Sequence, residues 1–170
     1  VQDSDGEKAS NTFVLTVNDI NDPPEVTVSP NPADPVAENT SVEVQVKIRD
    51  NEGGGLGIKV VSAENTQLVP NQYPHINIES KYGTEYIKTV QAGQETIIPV
   101  KITPAANTSG TAKLSVEVDD GTSIVEETFS ITVYAVPDAP AVSDITNQTT
   151  EMNTAASNIP FSVTDAEGGN

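Results

Sequence analysis

Apolar and polar residues alternate strictly along several stretches of this chain. Val42, Val44, Val46 and Ile48 alternate with Glu43, Gln45, Lys47 and Arg49. Leu114, Val116 and Val118 alternate with Lys113, Ser115 and Glu117. Phe129, Ile131 and Val133 alternate with Thr128, Ser130 and Thr132, and Ile98, Val100 and Ile102 flank Lys101 in the same way. A period of two sends successive side chains to opposite faces of a strand, so each stretch has one face for a core and one for water. No stretch sustains a helical spacing. The pattern predicts strands over 25–29, 41–49, 57–64, 76–81, 84–91, 95–103, 110–119 and 127–135. Turns are predicted at Pro30-Asn31-Pro32, Gly53-Gly54-Gly55, Pro104-Ala105-Ala106-Asn107 and Asp119-Asp120-Gly121. Many short strands at this spacing make an all-β protein, a two-sheet antiparallel sandwich.

The pattern also repeats. Thr12-Phe13-Val14-Leu15-Thr16-Val17 returns as Thr128-Phe129-Ser130-Ile131-Thr132-Val133, 116 residues on (129 − 13). Asp50-Asn51-Glu52-Gly53-Gly54 returns as Asp165-Ala166-Glu167-Gly168-Gly169, 115 residues on (165 − 50). Two separate landmarks with nearly one period indicate tandem repeats. One complete repeat is expected over 23–139. Residues 1–22 then carry the last strands of a preceding repeat and 140–170 the first strands of a following one. A partial repeat cannot bury its apolar face alone, so Phe13, Leu15 and Val17 need partners from elsewhere. A chain opening on Val1-Gln2-Asp3 reads as an excerpt.

Composition narrows the function classes. With 25 Asp and Glu against 8 Lys and Arg, the net charge is −17. Such a surface repels phosphate backbones and anionic membranes, which excludes nucleic-acid partners and membrane docking. No apolar run is long enough to span a bilayer. Cysteine is absent, so disulfides and thiolate chemistry are excluded, and stability must come from core size or bound metal. Aromatics are 4% of the chain, so the core is aliphatic.

The carboxylates are not scattered evenly. Asp19-Ile20-Asn21-Asp22-Pro23-Pro24 sets three oxygen-bearing side chains before two prolines. Proline fixes φ and pushes the preceding residue to extended conformations, so this is a stiff, acidic joint. With strands 41–49 and 110–119 running in the same direction, their ends fall at the pole of that joint. Asp19, Asn21, Asp22, Asp50, Glu52 and Asp119 then gather there, a donor set of the kind and number that Ca²⁺ takes. A divalent cation would also relieve their mutual repulsion. The competing reading is that Asp-Asn-Glu-Gly-Gly and Asp-Asp-Gly are turn residues chosen for their local hydrogen bonds.

A family resemblance attaches to these residues. Asp19 to Pro24 resembles the cadherin interdomain linker, with one Asn missing before the prolines. Val36-Ala37-Glu38-Asn39 resembles the cadherin motif with a calcium-ligating Glu, and Asp50-Asn51-Glu52 resembles the cadherin Asp-x-Asp. Asp119 stands where cadherins place a late ligand. The mid-repeat Leu-Asp-Arg-Glu motif is missing. A nearer likeness is to the cadherin-like, immunoglobulin-like tandem repeats of very large bacterial surface and secreted proteins. Ile102-Thr103-Pro104-Ala105-Ala106-Asn107-Thr108-Ser109-Gly110-Thr111-Ala112 is typical of those repeats. So are Ser62-Ala63-Glu64-Asn65-Thr66-Gln67-Leu68-Val69-Pro70-Asn71 and Val163-Thr164-Asp165-Ala166-Glu167-Gly168-Gly169. The resemblance implies an immunoglobulin-like, Greek-key sandwich in a bacterial cell-surface or secreted adhesion protein, with calcium at the joints. At the second joint, Ala135-Val136-Pro137-Asp138 keeps only Asp138, with Asp165, Glu167 and Glu38 as further donors, so a weaker or empty site is expected there.

Other chemistry finds little support. His75 is the only histidine, which leaves zinc and triad readings without a second ligand or base. The chain offers paired carboxylates without an evident cleft, so an enzyme is not expected. Tyr73, Tyr82, Tyr86 and Tyr134 could form a platform for sugar rings. Asn39-Thr40-Ser41, Asn107-Thr108-Ser109 and Asn147-Gln148-Thr149 match the glycosylation acceptor pattern. The expected function is a non-catalytic extracellular spacer and adhesion unit, stiffened by calcium between neighbouring repeats. The alternative is a carbohydrate-binding module of a secreted or surface protein. Surface proteins or glycans are further candidate partners, as is head-to-tail self-association through the half repeats.

Overall fold

The computed structural model describes residues 1–18, 20–30, 33–79 and 83–165. The alternating stretches form two antiparallel sheets. The first has strand order β1 (Glu25–Ser29), β3 (Val42–Arg49), β7 (Glu95–Ile102), β5 (Ile76–Ile78). The second has order β2 (Val36–Ala37), β9 (Ile124–Tyr134), β8 (Gly110–Asp119), β4 (Gly54–Glu64), β6 (Glu85–Val90). Every pairing within them is antiparallel except that of β2 with β9. The period-two apolar residues face each other between the sheets. Val44 and Val46 of β3 stand opposite Val100 and Ile98 of β7, and with Ile48 and Ile102 they supply one side. Leu56, Ile58 and Val60 of β4, Leu114, Val116 and Val118 of β8, and Phe129, Ile131 and Val133 of β9 supply the other. The result is an immunoglobulin-like antiparallel β-sandwich.

The strand boundaries differ from the sequence expectation in specific places. Gly54 and Gly55, expected in a turn, open β4 and pair with Val90 and Thr89. The turn is confined to Asn51–Gly53, where the Asp50 side chain accepts from the Glu52 and Gly53 amides. β9 begins at Ile124 and not at 127, since the tight Asp119–Ser123 turn lets Ile124 pair with Asp119 at once. The strand expected over 76–81 is short, ending at Ile78. Residues 80–82 lie outside the described residues. Strict alternation of direction also fails once. β5 is antiparallel to β7 and β6 to β4, so β5 and β6 run toward the same pole in different sheets. That step returns the end of β8 to the pole where β3 ends.

The flanking segments behave differently. In residues 1–18, Gln2 bridges Lys8, and Asp3 Oδ1 accepts from the amides of Asp5 and Glu7. Phe13, Leu15 and Val17 are exposed, Phe13 at 88%. After β9, two short strands, β10 (Ala141–Val142) and β11 (Val163–Thr164), pair antiparallel. Their register, Ala141 opposite Thr164 and Val142 opposite Val163, matches that of Glu25 with Arg49 and Val26 with Ile48 in β1 and β3. A turn recurs as well. The Thr40 amide donates to the Ala37 carbonyl with Asn39 at φ 61°, and the Thr154 amide to the Glu151 carbonyl with Asn153 at φ 63°.

Candidate functional site

The acidic joint enters the sandwich at the pole where β3 ends, β4 starts and β8 turns into β9. Pro24 is buried and anchors the joint against the body. Asp50 follows the last residue of β3 and is only 2% exposed. Its Oδ1 accepts from the amides of Glu52 at 3.1 Å and Gly53 at 2.5 Å, which curls the chain from one sheet to the other. Its carbonyl accepts from the Gly93 amide at 2.6 Å. Gly53 is required here: φ is 70°, and a Cβ would stand 2.6 Å from the Ala92 backbone nitrogen. The Oδ2 atom of Asp50 is buried and has no hydrogen-bond partner among the described residues. A buried carboxylate oxygen left unpaired is costly, which marks this position for explanation.

Two loops are tied to the joint through side chains. The Asp22 amide donates to Glu52 Oε2 at 3.3 Å, and Asn51 Nδ2 donates to Asp22 Oδ2 at 3.2 Å. Asn21 Nδ2 donates to Asp120 Oδ2 at 3.0 Å across 99 residues of sequence. Asp120 Oδ1 in turn accepts from the amides of Thr122 and Ser123 at 2.7 Å each. The hydrogen bond from Asn21, followed by those from the Ser123 and Thr122 amides, holds the Asp120 carboxyl below its ordinary value.

Of the residues singled out by sequence, Asn21, Asp22, Asp50 and Glu52 lie at this one pole. Asp19 lies outside the described residues. Asp119 sits at the same end but accepts only from the Gly121 amide, at 2.8 Å, and stands on the outer face of its sheet. Asp120 and Asn51 were missed. The signal for Asp120 was in the alternation itself: Val116 and Val118 face the core, so Asp119 must face outward and the following residue is the one that turns toward the joint.

Glu38 lies at the opposite pole. It is buried; its amide donates to the Tyr134 carbonyl at 2.9 Å, and its Oε1 accepts from the Val136 amide at 2.5 Å. Beside it, Asn39 and Asn107 bond reciprocally: Asn39 Nδ2 donates to Asn107 Oδ1, and the Asn107 amide to Asn39 Oδ1, both at 3.0 Å. Asp138 and Asp165 line an open groove with Asn107, Ala139, Ala141 and Thr164. Glu167 lies outside the described residues. At this pole the buried Glu38 carboxylate holds the start of the second joint through the Val136 amide.

Among the described residues, no three Asp, Glu or His side chains stand together in a ready-made metal cage. The donors at the first pole are hard oxygens, the class Ca²⁺ prefers, and among the described residues Asp50 Oδ2 is the buried one of them without a hydrogen-bond partner. The tyrosines do not share an element. Tyr73 and Tyr134 are exposed, in the β4–β5 connection and at the end of β9, while Tyr86 of β6 is half-buried against the core. Tyr82 lies outside the described residues. His75 Nδ1 is within hydrogen-bond distance of the Thr103 carbonyl, 2.8 Å, a structural tie. No helix among the described residues is long and apolar enough to cross a membrane.

No protein-family model and no curated protein matches the sequence. Solved structures share the sandwich at low similarity. The CARDB domain of a Pyrococcus furiosus protein, in complex with di-metal ions, is 17% identical over 66% of this chain and 94% of that one, with a TM-score of 0.44. The SrpA adhesin of Streptococcus sanguinis is 15% identical over 78% of this chain and 69% of that one, with a TM-score of 0.48. A family 123 glycoside hydrolase from Clostridium perfringens is 10% identical, with a TM-score of 0.48; the match covers 66% of this chain and 27% of that one. None of these likenesses carries an argument about function.

Proposed function

We propose that this chain is a non-catalytic module of an exported tandem-repeat protein, a spacer and adhesion unit whose joints are stiffened by calcium. In this reading residues 23–139 are one repeat, and 1–22 and 140–170 belong to its neighbours. The observation that carries it is the buried, unpartnered Oδ2 of Asp50 beside a joint laced to two loops. Asp22, Asp50 and Glu52 would hold the ion, with Asp120, the Asn21 side-chain oxygen and Asp19 as further donors. A bound divalent cation would neutralise the carboxylates gathered at this pole. The chain's own residues set the geometry. Asp50 Oδ1 fixes the loop, Asn51 positions Asp22, and Asn21 draws the β8–β9 turn toward the linker.

Thermal melting and small-angle scattering, in calcium and in chelator, test the reading. Calcium should raise the melting temperature and lengthen or stiffen the particle. Identical melting and identical scattering in the two conditions would remove calcium from the account.

A further inference from the structure

The outer face of the five-stranded sheet carries a feature that neither folding nor the acidic joint requires. Strand register sets the side chains of this face in rows. One row reads Ile87 (β6), Gly57 (β4), Asp119 (β8), Ile124 (β9); the next reads Glu85, Lys59, Glu117, Glu126. Gly55 lies beside Thr89 on the other side of the first row. Gly57 opens a shallow groove between Ile87, exposed at 75%, and Ile124, exposed at 67%.

Neither glycine is demanded by the backbone. Gly55 and Gly57 lack the positive φ seen at Gly53 and Gly54. A Cβ on Gly57 would meet Asp119 at 3.7 Å, and one on Gly55 would meet Ile87 at 4.0 Å, both ordinary contacts. Glycine inside a strand weakens it and leaves nothing to pack, so its usual reasons are a bulge or the close approach of another body. The pairing of β4 with β6 is regular through both positions.

The groove's charges say what that body is. Lys59 is bonded to Glu117 at 3.4 Å. Among the described residues the Glu85 carboxylate has no hydrogen-bond or ion-pair partner, and Asp119 engages only the amide of Gly121 through one oxygen. The floor at Gly57 is bare backbone, isoleucines bound its row, and the Asp119 and Glu85 carboxylates stand within reach of it. A long aliphatic stem with a cationic head fits all three, since Lys and Arg lay their methylenes on apolar surface and keep the charge at the rim. We propose that this face docks an extended segment of a partner protein, with a Lys or Arg side chain lying across Gly57 between Ile87 and Ile124. A second copy of this chain is a poor occupant, because a net charge of −17 opposes self-contact.

The test uses the whole chain in chelator, so that it stands apart from the calcium reading. The probe is the peptide acetyl-Thr-Val-Thr-Arg-Thr-Val-Thr-amide, and its controls are the same peptide with citrulline for arginine, and free arginine. Backbone amide shifts of Gly55–Lys59, Glu85–Ile87 and Asp119 should move with the arginine peptide. The citrulline peptide and free arginine should bind at least tenfold more weakly. Gly57→Val fills the floor with a residue suited to strands. It should weaken the arginine peptide tenfold or more while leaving melting temperature unchanged or raised. Glu85→Gln should weaken it severalfold. No shift at millimolar peptide, equal binding of the citrulline form or free arginine, or full binding by a folded Gly57→Val variant would each overturn the proposal.

Discussion

Two copies of one strand motif meet opposite fates in this molecule. Phe129, Ile131 and Val133 in β9 are buried between sheets, whereas Phe13, Leu15 and Val17, in the same alternation 116 residues earlier (129 − 13), stand in solvent. Period-two patterning specifies which side of a strand is apolar; burial requires a paired neighbour to present that side to. β9 has β8 along its whole length and β2 at its end, and residues 11–17 have neither. The acidic residues follow the same division. Asp50 is sealed at the end of β3, and its counterpart Asp165 is half-exposed after β11.

Twin substitutions should separate the copies, the largest difference first. Phe129→Ala should cost about 3–5 kcal/mol by loss of transfer energy and creation of a cavity. Phe13→Ala should stay within about 0.5 kcal/mol, the range of exposed positions. Urea unfolding monitored by circular dichroism measures both, and equal costs would mean that residues 11–17 are packed in solution. Asp50→Ala, in calcium, should cost about 1–3 kcal/mol, because the Glu52 and Gly53 amides lose their acceptor. Asp165→Ala should cost about 0.5–1 kcal/mol by the same unfolding assay.

The smallest expected effect is a titration. Asp120 should titrate below 3.8, and Asn21→Ala should move it upward, since the Asn21 hydrogen bond is the leading cause of the depression. The sign follows from linkage. A carboxyl whose folded value is depressed adds stability above its unfolded value and loses it as pH falls through the folded value. The Asn21→Ala protein should therefore show a smaller loss of stability on acidification below about pH 4. Carboxyl carbon shifts followed by NMR check the midpoint, and an unchanged midpoint in the variant would separate Asp120 from the joint.

The sheets were legible in the sequence because alternation over Val42–Arg49 and Lys113–Val118 leaves one register that turns every valine toward the core. Short elements were not. β2 is two residues long, and its place is set by pairing with β9, a contact 97 residues away (133 − 36) with no local signature. Gly54 and Gly55 read as turn residues because glycine punctuates chains, yet their pairing partner β6 holds them in a strand. At the acidic pole, alternating direction over the eight expected strands would have sent the β8–β9 turn away from Asp22 and Glu52; the like-directed β5 and β6, which sit in different sheets, bring it back. Which of Asp119 and Asp120 faces the joint is a matter of side-chain orientation past the last core valine, Val118. The reciprocal Asn39–Asn107 pair, by contrast, joins two loops through left-handed residues, and composition alone gives no reason to connect them.

The most direct measurement is a calorimetric calcium titration of the unmodified chain beside Asp50→Asn and Asp165→Asn. The account predicts saturable binding that Asp50→Asn abolishes or weakens at least tenfold, with Asp165→Asn close to the parent in its tightest site. No binding heat in the parent chain, or equal affinity in the parent and Asp50→Asn, would contradict it.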